Sequence, residues 1–158
     1  MSYRFFPGLL LFSLACGGGP GGAIPVDSAT SPEGAVRSFM QAVADSNITR
    51  MGRYWGTSRG PASVVHHPAD YEQRLFVTQS FLRNSPYHIL RTDPVSNDKN
   101  RQIVQLDLDR TDPDGSHCTR ALPFTVLNSG KTGWIVTSID LTLVGTPGRS
   151  CGPRRSGN

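Results

Sequence analysis

Residues 101–110 read RQIVQLDLDR, and their alternation decides the fold. Val104, Leu106 and Leu108 take every second place, with Gln105, Asp107 and Asp109 between them. Successive side chains of a strand point to opposite faces, so the pattern predicts a strand with one buried and one wet face. The same period governs the chain on either side. Residues 87–92 (YHILRT), 118–128 (CTRALPFTVLN) and 133–144 (GWIVTSIDLTLV) read as strands, parted by SNDKN, DPDG and NSGKTG. Links this short and polar imply an antiparallel meander. The third strand is expected to bury Leu122, Phe124 and Val126. The last offers Ile135, Ile139, Leu141 and Leu143 on one side, and Trp134, Val136, Ser138 and Asp140 on the other.

Upstream of Tyr87 the period is helical. Ser31-Pro32-Glu33 combines a capping hydroxyl, a proline suited to the first turn and an acid near the positive helix end. Val36, Phe39, Met40 and Val43 then recur at helical spacing until Asp45-Ser46-Asn47 breaks the run. A second, short helix carries Ile48, Met51 and Tyr54/Trp55 and stops at Gly56. Residues 57–67 (TSRGPASVVHH) read as loop, with a brief strand at Ser63–His66. Pro68 is expected to open a third helix with Tyr71, Leu75, Thr78 and Leu82 on one stripe, closed by Asn84-Ser85-Pro86.

Helices first, then a four-strand meander ending in GWIVTSIDL, resemble the NTF2-like (cystatin-like, SnoaL/ketosteroid-isomerase-shaped) superfamily. The resemblance spans Ser31 to Val144 and rests on element order, on the opening SPEGAVRSFMQAVADSN and on the Trp-containing last strand. It implies an α+β domain at residues 31–144, with N-terminal helices packed on a curved antiparallel sheet to form a cone. It also implies that Tyr54, Trp55, Tyr71 and Tyr87 line that cone, with Arg59 and Arg74 as charged partners. The superfamily holds isomerases, cyclases, dehydratases, transport factors and non-catalytic lipoproteins, so fold analogy alone does not choose an activity.

Residues 5–16 (FFPGLLLFSLAC) follow Arg4 and run into a glycine stretch. A positive start, an apolar run and small residues at its end are the layout of an export signal over residues 1–15. The run is too short for a membrane span, which takes about 20 apolar residues. SLAC followed by Gly17 resembles a bacterial lipobox, although Ser13 stands where most such motifs carry Leu. That resemblance implies a lipid-modified Cys16, with residues 16–30 as a Gly/Pro-rich spacer between anchor and domain. The address expected is the bacterial cell envelope, on the periplasmic or outer-membrane side, or secretion if Cys16 is not lipidated.

Three cysteines leave one over in an exported chain. With Cys16 lipidated, Cys118 and Cys151 become a pair in an oxidising compartment. Closing that loop stabilises a fold by about 3–4 kcal/mol in the chain-entropy account. The bridge would tie the tail, residues 145–158, back to the start of the third strand. The 16 Lys and Arg against 12 acids make the chain mildly basic, but the charge is scattered and three arginines (Arg149, Arg154 and Arg155) lie in the tail. A nucleic-acid surface needs that charge on one element, so this partner class is set aside.

Motifs for chemistry are sparse. Asp140, flanked by Ile139 and Leu141, would have a raised pKa if desolvated on a central strand, and could then act as an acid or base. His66 and His67 are adjacent and would point apart on a strand. The spacing of His117 with Cys118 and Cys151 is not that of a metal site, and no phosphate-binding glycine loop or nucleophile motif occurs. No cofactor or metal is therefore expected. The reading is a non-catalytic domain that binds an apolar small molecule or an envelope protein through cone or sheet, with a homodimer through the sheet as one arrangement. The alternatives are a small cofactor-free isomerase- or cyclase-type enzyme using Asp140, and a purely structural surface protein. Replacing Cys16 by Ser is expected to release the protein from membranes on fractionation and to leave the precursor uncut. Unchanged processing and membrane association would reject the lipid anchor.

Overall fold

Ser31, Pro32 and Glu33 start a helix as their chemistry directs. In the computed structural model, which describes residues 28–152, α1 runs Pro32–Ala44 and the Ser31 hydroxyl accepts the Gly34 amide at 3.0 Å. That bond satisfies one of the amides every helix start leaves without a partner. The expected signal, Cys16 and residues 17–27 lie outside the described residues, as do 153–158. Helix α2 (Ile48–Tyr54) begins where Asn47 Oδ1 accepts the Arg50 amide at 2.8 Å. A two-residue strand pair follows, β1 (Gly56–Thr57) with β2 (Gly60–Pro61), then a one-turn helix α3 (Ala62–Val65) and helix α4 (Tyr71–Leu82).

Two expectations fail in this layer. The strand expected at Ser63–His66 is instead the helical turn α3, ended by His66 at φ 49°. The β1–β2 pair turns the chain so that the Ala62 amide meets the Trp55 carbonyl at 2.8 Å, and the His66 amide then closes onto Ala62 at 2.8 Å. Pro68 does not open α4 either. It stands in the preceding turn, where its carbonyl accepts the Tyr71 amide at 3.0 Å.

The sheet is an antiparallel meander in chain order: β3 (Tyr87–Val95), β4 (Asp98–Thr111), β5 (His117–Asn128) and β6 (Trp134–Ile139). Its first hairpin is longer than SNDKN suggests, because Val95 pairs with Asp98 across Ser96 and Asn97, with Asn97 at φ 65°. Register sets Val104 opposite Phe124 and Leu106 opposite Leu122, and all four are fully buried, as are Leu108 and Val126. Helix α1 lies on this face, where Phe39 meets Phe124 edge-on with ring centroids 6.1 Å apart. Burying such a side chain contributes about 1.5–3 kcal/mol. The architecture is the α+β arrangement of N-terminal helices and a four-strand sheet that the periodicities predict.

The last strand departs from its expected alternation. Val126 pairs with Val136 but Thr125 with Ser138, so Thr137 is an extra residue and both Ile135 and Val136 are buried. Such a bulge bends the strand and re-aims its side chains. The strand also ends at Ile139, and Leu141–Val144 forms a 3-10 turn. Asp140 causes this: its carboxylate accepts the Thr142 amide at 3.1 Å and the Thr142 hydroxyl at 2.6 Å, drawing the backbone off the sheet. At the other end the packed domain begins before Ser31. Ala29 is buried and its carbonyl accepts the Trp134 amide at 2.9 Å. Gly133, at φ 73°, sits against that carbonyl, where a Cβ would collide.

Helix α1 is tied to β3 by the Thr92 hydroxyl, which donates to Glu33 Oε1. This bond, with a backbone hydrogen bond next in weight, holds the Glu33 carboxyl below its ordinary value of 4.5. A depressed folded pKa contributes stability that is complete above the unfolded value and is lost as the pH falls through the folded one. Glu33→Gln is therefore expected to lower the denaturation midpoint at pH 7 and to narrow the gap between midpoints at pH 7 and pH 3. Equal gaps in the two proteins would contradict this.

Candidate functional site

The inner face of the sheet changes character at one end. On β4 the run Val104, Leu106, Leu108 continues at the same period to Arg110 and, just past the strand, Asp112. On β5 the run Val126, Phe124, Leu122 continues to Arg120 and Cys118. Register pairs Leu108 with Arg120 and Arg110 with Cys118. Hydrocarbon thus gives way to two guanidiniums, a sulfur and a carboxylate, and Arg110 and Asp112 are nonetheless buried.

Residues 145–152 cross this polar end as a strap. Val144 is its last buried apolar side chain, yet Ser150 is only 1 % exposed. Asp112 accepts the Ser150 amide at 2.7 Å on one oxygen and the Cys151 amide at 2.8 Å on the other. Arg120 donates to the Ser150 carbonyl from both Nε, at 3.0 Å, and Nη2. Arg110 Nε donates to Ser150 Oγ at 2.9 Å. The expected disulfide joins Cys118 to Cys151 with Cα atoms 5.3 Å apart, inside the span a bridge allows. Gly145, at φ 73°, lets the strap fold back, since a Cβ there would stand 2.8 Å from Ser150 Cα. The bridge suits an oxidising, extracytoplasmic compartment. Among the described residues no helix is long and apolar enough to cross a membrane.

Arg110 reaches a third element. Its Nη1 donates to the Phe81 carbonyl at 2.7 Å and to Ser85 Oγ, joining the strap to the end of α4. Burial lowers the Arg110 pKa while the Asp112 charge raises it. Acceptors on every side are what a buried cation requires. Ser85 in turn borders an open cleft of about 560 Å³ between the end of α1 and the α4–β3 link. Met40, Ala44 and Leu82 supply its apolar wall, and Gln41, Ser85 and Tyr87 its polar groups. Tyr87 is half-buried, and burial raises its phenol above the usual 10, with the Arg37 charge acting in the opposite sense.

Of the six residues expected to line the cone or partner it, only Tyr87 lines this cleft. Tyr54 and Tyr71 are 4 % and 8 % exposed and belong to the hydrophobic core. Desolvation raises the Tyr71 phenol further, helped by its 3.0 Å bond to Glu72. Trp55 is half-buried against the core, its backbone bridged to Val136. Arg59 is exposed, and exposed Arg74 pairs with Asp70 at 3.0 Å. Aromatic residues at helical spacing here fill the core instead of lining a cavity. Asp140 is exposed and engaged with Thr142, so the desolvated carboxyl that acid–base chemistry would need is not formed there. His88 lies 3.8 Å from Asp109, and the His117 ring is 2.9 Å from the Thr111 hydroxyl. Among the described residues no three His, Cys, Asp or Glu side chains are grouped to hold a metal ion.

The residues that sequence reasoning passed over are Arg110, Asp112, Arg120 and Ser150. A signal for three of them was present, because the buried period of β4 and β5 continues through 110, 112 and 120. Ser150 carried none. It is buried by what its backbone binds.

Comparison with known protein families finds no match, and neither does comparison with curated proteins. A solved structure described as a calcium/calmodulin-dependent protein kinase II association domain from Xanthomonas campestris is similar over 73 % of this chain and 87 % of its own. The identity is 12 % and the TM-score 0.35.

Asp112→Ala removes the carboxylate beside a buried guanidinium and strands two strap amides. Leaving a buried amide without its acceptor costs about 1–3 kcal/mol for each group. The expected result in denaturant unfolding is a loss of that size, with faster amide exchange at Ser150 and Cys151. A loss below about 1 kcal/mol, the usual value of an exposed pair, would contradict the burial argument.

Proposed function

We propose that the chain is an exported, non-catalytic binding protein whose NTF2-like domain takes an amphipathic small molecule in the cleft beside Tyr87. The observation that carries this reading is the cleft itself. Its volume of about 560 Å³ falls within the roughly 300–1,000 Å³ typical of small-molecule sites. Apolar Met40, Ala44 and Leu82 face a few polar groups, the pattern that binds by burial and orients by hydrogen bonds. The space between helices and sheet, by contrast, is filled by Phe39, Leu106, Leu122 and Phe124, none of them exposed. Element order supports the NTF2-like assignment, and the disulfide supports export. The lipid on Cys16 then holds the domain at the envelope, with the ligand presented at a membrane surface. The acid–base alternative draws no support from Asp140, whose carboxylate is exposed.

Titration with the fluorescent probe 1-anilinonaphthalene-8-sulfonate tests the site. Tyr87→Ala is expected to weaken probe binding about tenfold, a loss of about 1.4 kcal/mol. Asp140→Asn is expected to leave it unchanged. Equal affinity in the Tyr87 variant and the parent would reject the cleft as the binding site.

A further inference from the structure

We infer that the Cys118–Cys151 bridge is a redox-operated clasp, and that Arg110 transmits its state to the cleft beside Tyr87. This inference concerns regulation of the site proposed above and rests on that reading.

The strap depends on its covalent tie. From Gly145 to Gly152 it buries no apolar side chain, and its hold consists of the bridge and of polar contacts to Asp112, Arg110 and Arg120. Each of these hydrogen bonds has one charged partner and is strong while buried, but water competes for the same groups once the strap is free to move. One group beside the strap is in deficit: Ser116 Oγ is buried with no partner, a cost that opening removes. The bridge is also reachable. Cys118 and Cys151 are half-buried, and they border shallow clefts of about 280 and 250 Å³ respectively.

The reaction is thiol–disulfide exchange. A dithiol reductant attacks one sulfur and the S–S bond breaks, freeing one cysteine and leaving the other in a mixed disulfide; the reductant's second thiolate then attacks that bond and frees the other cysteine. Cys118 and Cys151 end as two thiols, having taken two electrons and two protons, and the dithiol ends as its own disulfide. The core loses nothing directly, since none of its apolar contacts involves the strap beyond Val144.

Opening does change Arg110. With the strap gone its Nε loses Ser150 Oγ, while Asp112 loses the two amides it had been accepting. The guanidinium and the carboxylate whose charge acts on it are then both left short of partners. Their mutual attraction then competes with the bonds from Nη1 to Phe81 and Ser85. Those bonds fix the end of α4 and the link that forms one wall of the cleft. Ser150, Arg110 and Ser85 thus make a contiguous chain of contacts through which the state of the strap biases the cleft wall.

The test compares the full chain oxidised and after dithiothreitol, by hydrogen exchange with mass spectrometry and by titration with 1-anilinonaphthalene-8-sulfonate. Reduction is expected to speed exchange over residues 146–152 at least about tenfold and leave 103–108 protected. It is also expected to raise exchange over 83–88 and shift the probe's Kd about fivefold or more. Ser150→Ala, with the bridge intact, is expected to raise exchange over 83–88 in the same sense without freeing the strap. A strap that stays protected after reduction overturns the clasp, as does loss of protection at 103–108, which would make the bridge a structural staple. A freed strap with 83–88 unchanged, or no response in Ser150→Ala, overturns the coupling. A probe that ignores the Tyr87→Ala change in both redox states removes the ligand reading alone, because the exchange comparison still decides the coupling.

Discussion

A guanidinium placed at the end of a hydrocarbon stripe must find acceptors, and Arg110 finds them on two pieces of chain remote from its own strand. Ser150 of the strap takes one N–H, while the Phe81 carbonyl and Ser85 hydroxyl share another nitrogen, with Asp112 supplying the compensating charge. The end of α4, the end of β4 and the strap are therefore fixed relative to one another by one side chain. A hydrocarbon residue at position 110 would continue the core of Val104, Leu106 and Leu108 without joining these elements. The charge costs desolvation, and in exchange it specifies where the strap and the α4–β3 link lie. The disulfide holds the strap on this arrangement.

The closed core moves any binding role to the rim. Phe39 and Phe124 meet edge-on where an open cone would leave space, and Tyr54 and Tyr71 pack beneath the helices. What stays open is the seam where α1 ends, α4 ends and β3 begins. Tyr87 stands on that seam because it lies opposite Leu108, one step from Arg110 on the same face. The cleft and the polar end of the sheet are thus neighbours by register, and Ser85 belongs to both.

Periodicity made the elements legible. The alternation of Val104, Leu106 and Leu108 and the cap at Ser31 led directly to the sheet and to α1, because each rests on local geometry. The departures have non-local or competing causes. Thr137 is an extra residue in its strand, and nothing in GWIVTSIDL marks a bulge. Asp140 reads as a strand residue by its neighbours, but its carboxylate prefers the Thr142 amide two residues on. Val64 and Val65 favour a strand, yet the β1–β2 turn leaves them as a helical turn. The bridge between Cys118 and Cys151 was legible from cysteine arithmetic and the expected run of the last strands. The site was less so: aromatic residues at helical spacing look alike whether they line a cavity or fill one, and only Tyr87 proved to border open space.

The central claim is that the cleft at Tyr87 carries a small amphipathic molecule. Protein isolated gently from the cells that make it, transferred to native mass spectrometry and then extracted for small-molecule analysis, tests this most directly. The account predicts a bound species of small-molecule size that is retained by the parent protein and lost from the Tyr87→Ala protein. A parent protein that carries nothing, or a bound species retained equally by the Tyr87→Ala protein, would contradict it.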